Sequence, residues 1–338
     1  MKTPVLSGAD GWRRLRRNRP AMWSMAFLLL VTLAAFLVPP FLAAERHQVT
    51  DAVFLAPGAT ATVPLVDDAD PTRIVGKKSL TYWLGTDDHG KDLLYRVLAG
   101  AQVSLVVGFA AALVNLLIGV AYGLISGYLG GRTDAFMMRF VDLLYAIPRI
   151  LIIMVLISAW SQGFVGWLDS GRLWAQAHGH HGWERLFNAV LPYNRMVIVI
   201  LSLGLIEWLT MARIVRGQVL VLRELQFVTA ARAMGQTASA IMRRHLLPNL
   251  WTVILTYLTL TIPSVILMES FLSFLGLGID EPAASWGSLL KQGAQVINPI
   301  ESRWWLLLFP ASLMSASLLA LNFLGDGLRD AFDPRSQR

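Results

Sequence analysis

Six apolar runs, near residues 21–44, 102–128, 136–160, 195–217, 251–277 and 304–325, constrain this 338-residue chain more than any other feature. Crossing roughly 30 Å of hydrocarbon takes about 20 residues in a helix, and each run supplies close to that length. Inside lipid every backbone donor and acceptor must find a partner within the protein. The runs are therefore helices rather than open strands. The sequence predicts an all-α polytopic membrane protein with six transmembrane helices. A composition of 55% apolar and 15% charged residues, with a mean hydropathy of +0.54, excludes an ordinary soluble domain.

The net charge of +7 would suit a nucleic-acid partner, but its distribution points to membrane orientation instead. Lys2, Arg13, Arg14, Arg16, Arg17 and Arg19 stand directly before the first run. Arg132, Arg139 and Arg149 surround the second turn of the chain, and Arg213, Arg216, Arg223, Arg232, Arg243 and Arg244 surround the fourth, against Glu224 alone. Cytoplasmic loops carry the excess of Lys and Arg. With the N-terminus inside, all these loops fall inside, and six crossings return Arg329, Arg335 and Arg338 to the same side. The segment 45–98, with eight acids and six bases, and 278–303, with Asp280, Glu281 and Glu301, fall outside.

This gives a linear organisation: a basic cytoplasmic N-terminus over 1–20, a first helix over 21–44, an extracytoplasmic loop over 45–101, a five-helix core over 102–325 and a cytoplasmic tail over 326–338. The core contains a cytoplasmic loop at 218–249 and an extracytoplasmic insertion at 161–194. The first run is too long for the apolar core of a signal peptide, and Ala43-Ala44 is a weak cleavage-like ending, so it reads as an uncleaved helix. In the first outer loop a short strand is expected around Thr60–Val66 among Pro57, Gly58, Pro64 and Pro71. The insertion carries Trp167, Trp174 and Trp183. Tryptophan favours membrane interfaces, which predicts a helix along the outer surface. No cysteine is present, so there is no disulfide framework and no Cys-based metal or redox site.

Gly119, Gly123 and Gly127, with Gly131 beyond, recur every fourth residue of the second run. Small residues at that spacing let helix backbones approach closely, so they mark a helix-packing face. Pro263 and Pro310 fall inside the fifth and sixth runs, where the missing N–H can kink a helix. Glu207 and Glu269 lie within runs, where a charge is costly and marks a pathway, a cavity or a partner. In an ion-coupled secondary transporter they would be the ion sites. Asp142 and Arg139, three residues apart, are expected to pair.

Two motif-like stretches carry less. GTDDHGKD at 85–92 spaces Gly85, Gly90 and Lys91 like a phosphate-binding loop, but Asp92 replaces the Ser or Thr that would hold magnesium and would repel phosphate. His178, His180 and His181 form a short His-rich tract with only Glu184 nearby, which reads as a solvated loop before a metal site. No catalytic constellation is present, and the chain reads as non-enzymatic.

The stretch 223–249 differs. Phe227, Ala231, Met234, Ala238 and Ile241 recur at steps of four and three, one stripe of an amphipathic helix, which Gly235 interrupts and Pro248 bounds. A short helix with small residues on the cytoplasmic side suits docking into a partner's groove.

Thr229-Ala230-Ala231, Gly235, Ile241 and Leu247-Pro248-Asn249 resemble the "EAA" loop of permeases in ATP-driven ABC importers, with Thr229 where the family pattern has Glu. LGTDDHGKDLLYRV (84–97), IEWLTMARIVRGQ (206–218), ESFLSFLGLGIDEPAASWG (269–287) and NFLGDGLRDAFDPR (322–335) are similar to the peptide branch. Among its subunits the chain resembles the second permease of oligopeptide importers, over roughly 10–160 and 193–338. The resemblance implies the type I importer permease fold and a loop seated on a cytoplasmic ATPase through Thr229, Ala230, Ala231, Gly235, Ile241, Leu247 and Pro248. It also implies a second permease subunit, two ATPase subunits that bind ATP and magnesium, an extracytoplasmic peptide-binding protein, a bacterial inner-membrane location, and no cofactor or nucleic acid on this chain.

Overall fold

The structure, a computed structural model, describes residues 8–42, 52–66, 74–279, 283–298 and 300–332. Lys2, the Ala43-Ala44 pair, Pro71, Asp280, Glu281, Arg335 and Arg338 lie outside the described residues. Among the described residues, six helical stretches are long and apolar enough to cross a bilayer: Arg19–Phe41, Leu93–Leu129, Arg149–Ala177, His181–Leu222, Ala238–Phe274 and Trp305–Ala331.

Helix α1 (Gly8–Arg17) is separated from α2 (Arg19–Phe41) by Asn18. The Asn18 side chain accepts the Ala21 N–H at 3.2 Å, capping α2, and Pro20 sits in the first turn, where no donor is needed. An antiparallel hairpin of β1 (Ala59–Val66) and β2 (Ile74–Tyr82) follows, pairing Ala59 with Tyr82 and Val63 with Lys78. Alternation along its strands buries Val63, Leu80 and Tyr82 on one face against Leu55. The anticipated strand therefore has a partner that the Gly76-Lys77-Lys78 sequence concealed.

Helix α3 (Leu93–Leu129) begins nine residues before the second apolar run. The third run does not form one helix. Residues up to Ala146 belong to α4 (Gly131–Ala146), and α5 spans Arg149–Ala177. Ile147 between them is extended (φ −93°, ψ 134°), because the ring of Pro148 disfavours a helical residue before it. The 161–194 insertion is also helical. Residues 161–177 prolong α5, and α6 (His181–Val190) folds back on it, with Phe187 against Gly171 and 5.9 Å from Trp167. Helix α7 (Asn194–Leu222), α8 (Gln226–Ala233), α9 (Ala238–Ile241), α10 (Leu247–Phe274), α11 (Trp286–Gln295) and α12 (Trp305–Phe332) follow in order, with Pro263 inside α10 and Pro310 inside α12.

The chain divides into two compact units. One comprises Met1–Met25, Val107–Leu267 and Ala320–Arg338, and the other Ala26–Val106 and Met268–Leu319. The first is built on the packing of α3 against α7. A Cβ on Gly119 would lie 2.6 Å from Met211 Cβ, on Gly123 2.6 Å from the Ala212 carbonyl oxygen, and on Gly127 2.8 Å from Val219 Cβ. Gly131 is not part of this face, because its φ is +58° and a Cβ there would meet nothing. The core of the second unit gathers Leu93, Val97, Leu289, Trp305 and Leu306.

Candidate functional site

The site lies in the first unit, where the chain leaves α7 and returns through α10. Helix α8 ends at a left-handed residue, Gly235 (φ +76°), with Gly235 N–H bonded to the Arg232 carbonyl at 2.9 Å and Gln236 N–H to the Ala231 carbonyl at 3.1 Å. This pair of bonds closes a helix whose next residue must take positive φ, which glycine does without steric cost. Thr237 then caps α9 by accepting the Ala240 N–H at 3.3 Å. A single π-helical turn, Met242–Leu246, leads into α10. That wider turn lies just before Pro248, which has no N–H to offer a regular ladder.

Because the helix breaks after eight residues, the stripe of a continuous helix does not form. Val228, Ala231, Ile241, Leu246 and Leu250 are buried together against Val120 and Leu124 of α3 and Val215 and Val219 of α7. Phe227 and Met234, expected on that face, are exposed, Met234 by 71%. Of the residues singled out from the sequence, Ala231 and Ile241 anchor the loop and Leu247 is half-buried. Thr229, Ala230, Gly235 and Pro248 face outward. A Cβ on Gly235 would have open space, so within this chain the glycine serves the turn and not a close approach. Gln236 is half-buried and 2.9 Å from His245 Nε2.

Arginines tie this loop to the corner between α3 and α4. Arg216 donates two bonds to the Asp134 carboxylate, at 2.5 and 2.6 Å, and Ser126 donates a third at 2.5 Å. The Arg216 guanidinium holds the Asp134 carboxyl below the ordinary carboxylate range, against burial, which alone would raise it. Arg223 donates to the Gly127 carbonyl at 2.9 Å, and Arg232 lies 5.1 Å above the Tyr128 ring. These links went unread in the sequence. Asp134 and Arg216 are 82 residues apart, and only the unneutralised run of arginines hinted that an acid elsewhere must serve them.

The remaining candidates do not assemble into another site. Glu207 on α7 is held by Arg149 at 3.2 Å, at the start of α5. Asp142 pairs with Arg213 at 2.6 Å and not with Arg139. In the second unit Glu269 is fully buried and accepts hydroxyls from Ser273 (2.7 Å), Ser104 (3.2 Å) and Ser270 (3.4 Å). In 85–92, the Asp87 carboxylate accepts the N–H groups of His89 and Lys91, each at 2.8 Å, and also binds Arg96. The backbone donors a phosphate would need are taken by an acid, so the loop does not fit a nucleotide. The histidines separate: the rings of His178 and His180 stack on Trp174, and His181 faces Glu184 at 3.5 Å.

Comparison with known proteins gives the following. The profile of the family described as "binding-protein-dependent transport system inner membrane component" matches residues 119–338, and that of the "N-terminal TM domain of oligopeptide transport permease C" matches 8–57. The dipeptide transport system permease protein of Bacillus subtilis is 37% identical over 339 residues, covering 100% of this chain and 89% of that protein. The oligopeptide transport system permease protein of Escherichia coli K12 is 37% identical over 328 residues, covering 97% and 91%. Among solved structures, an inward-facing form of the MetNI methionine ABC transporter aligns with a TM-score of 0.51 at 16% identity, covering 71% of this chain and 97% of that one. At that identity the likeness speaks for the fold.

Proposed function

The chain belongs to the binding-protein-dependent transport system inner membrane components, and we propose that it carries di- or oligopeptides inward across a bacterial inner membrane. In this reading the termini and the 218–249 loop are cytoplasmic, while 45–101 and 161–194 face outward. The chain pairs with a second permease subunit, receives peptide from an extracytoplasmic binding protein, and has no catalytic residues of its own. ATP and magnesium belong to two partner ATPase subunits, whose hydrolysis supplies the work.

The observation that carries this reading is the two-sided loop between α7 and α10. Its inner side, Val228, Ala231 and Ile241, is anchored on α3 and α7. Its outer side, Thr229, Ala230, Met234 and Pro248, is free of the chain's own packing. Movement of an ATPase seated on the outer side would pass through the inner side and the Arg216–Asp134 link to the helices that hold Gly119, Gly123 and Gly127 in close contact, rocking the bundle between inward- and outward-facing states. An ion-coupled carrier would need Glu207 and Glu269 open to an ion, but one faces Arg149 and the other is enclosed by serine hydroxyls.

Reconstitution of the full complex in vesicles with its binding protein tests the proposal. Labelled di- to pentapeptides should accumulate only when ATP is supplied on the ATPase side. Uptake driven by a proton or sodium gradient without ATP would contradict the mechanism, and ATP-driven uptake of a non-peptide solute alone would contradict the substrate class.

A further inference from the structure

Helix α1 carries a charge pattern that transport does not use. Residues 1–25 hold Arg13, Arg14, Arg16, Arg17 and Arg19 and a single acid, Asp10. At 3.6 residues per turn, Gly11 and Leu15 share one side of the helix, and Arg13, Arg16 and Arg17 the opposite one. The structure follows that division. Gly11 and Leu15 are buried, with Leu15 packed against Ala21 of α2 and Leu328 and Ala331 of α12. Arg13, Arg16, Arg17 and Arg19 are exposed, and among the described residues none of the four reaches a carboxylate. The helix is thus a fixed piece of the fold whose outer side presents unneutralised guanidiniums.

Its place selects the partner. Only Asn18 separates α1 from α2, the first membrane-spanning helix, so the guanidiniums stand at the root of a span. Trp12, 45% exposed with the Arg16 guanidinium 5.9 Å from its ring, adds an amphipathic side chain of the kind that settles at headgroup level. Basic clusters immediately beside a span attract anionic lipid, and guanidinium matches phosphate oxygens with paired hydrogen bonds.

We infer that the outer side of α1, formed by Trp12, Arg13, Arg16 and Arg17, together with Arg19 at the start of α2, is a binding surface for anionic phospholipid headgroups. The surface holds the base of α2 and the end of α12 at the membrane boundary through the buried Leu15 contact. The inference rests on α2 spanning the membrane and not on peptide transport, so either can fail alone.

Native mass spectrometry of the purified full chain in detergent tests it. The delipidated chain is offered equal amounts of phosphatidylglycerol and phosphatidylcholine, and retained lipid is counted. The wild type should retain phosphatidylglycerol over phosphatidylcholine, and the quadruple change of Arg13, Arg16, Arg17 and Arg19 to Gln should reduce that preference at least tenfold, at about fivefold for each surface arginine. The same four positions changed to Lys should keep most of the preference, which separates lost charge from a misfolded helix. Equal retention of the two lipids by the wild type would overturn the assignment. So would undiminished phosphatidylglycerol retention by the Gln variant, including the case in which that variant loses a protein partner instead.

Discussion

Gly123 and Gly235 are glycines for opposite reasons, and the contrast separates a close helix–helix contact from the turn of a loop. Gly123 sits in an unbroken helix with ordinary dihedral angles, and what it lacks is room. Its missing Cβ would meet the Ala212 carbonyl oxygen, Val215 Cβ and the Arg216 nitrogen, all at 3.0 Å or less. These are backbone and branch-point atoms that no rotamer change can withdraw. Gly235 has unlimited room and an unusual backbone, φ +76°, which ends α8 and turns its outer side away from the membrane helices. One glycine lets two helices touch, and the other lets a helix stop. A motif match treats the two alike, and only the surroundings tell them apart.

The largest effect is expected at the packing glycine. Gly123→Leu must separate α3 from α7, at a cost of about 3 kcal/mol or more, and the purified complex should melt far below the wild type or fail to assemble. A variant that melts normally would remove the close α3–α7 contact from the account.

Asp134→Asn comes next, since it leaves the partly buried Arg216 without its counter-charge. The expected loss is about 2–3 kcal/mol, in the range for hydrogen bonds to charged groups. Because the folded carboxyl titrates below its unfolded value of roughly 3.9, its contribution is fully present above that pH and disappears as pH falls through the lower folded value. The gap in thermal midpoint between wild type and variant, measured between pH 6 and pH 3, should therefore narrow toward the acid end. A constant gap across that range would show that the charge pair is not the cause.

Gly235→Ala is expected to be milder, about 1–2 kcal/mol for a left-handed alanine. Its thermal midpoint should fall slightly, while hydrolysis linked to transport should fall more, because α8 and α9 lose their fixed angle. Equal loss in both measurements would mean that the turn serves stability alone. Ser239→Ala, on the exposed side of α9, is the reference for no effect.

What could be read from the sequence divides along the same line. The spans were legible because each depends on one local property, about 20 apolar residues in a row. The break at Ile147 was also legible in principle, since Pro148 announces it, but the largely apolar character of 136–160, despite Arg139, Asp142 and Arg149, hid the signal. The stripe through Phe227 and Met234 misled because it assumed a helix longer than the eight residues that Gly235 permits. Val228, which lies off that stripe, turned out to be an anchor. Arg149–Glu207, Arg213–Asp142 and Arg216–Asp134 were not legible, because each joins residues from 58 to 82 positions apart and depends on which helices become neighbours. Asp142 next to Arg139 looked like a local pair, yet a better partner arrived from α7.

The central claim is that the outer side of the 223–249 loop couples this subunit to its ATPases, and Ala230→Arg tests it most directly. Ala230 is exposed on α8 and leaves the buried anchors Val228 and Ala231 untouched. The variant should insert, melt like the wild type and retain its companion permease. On affinity purification it should lose the ATPase subunits, since burying an unpaired charge at the contact costs about 4 kcal/mol, nearly a thousandfold in association. If the ATPases remain bound and peptide-stimulated hydrolysis is normal, the loop is not the coupling element.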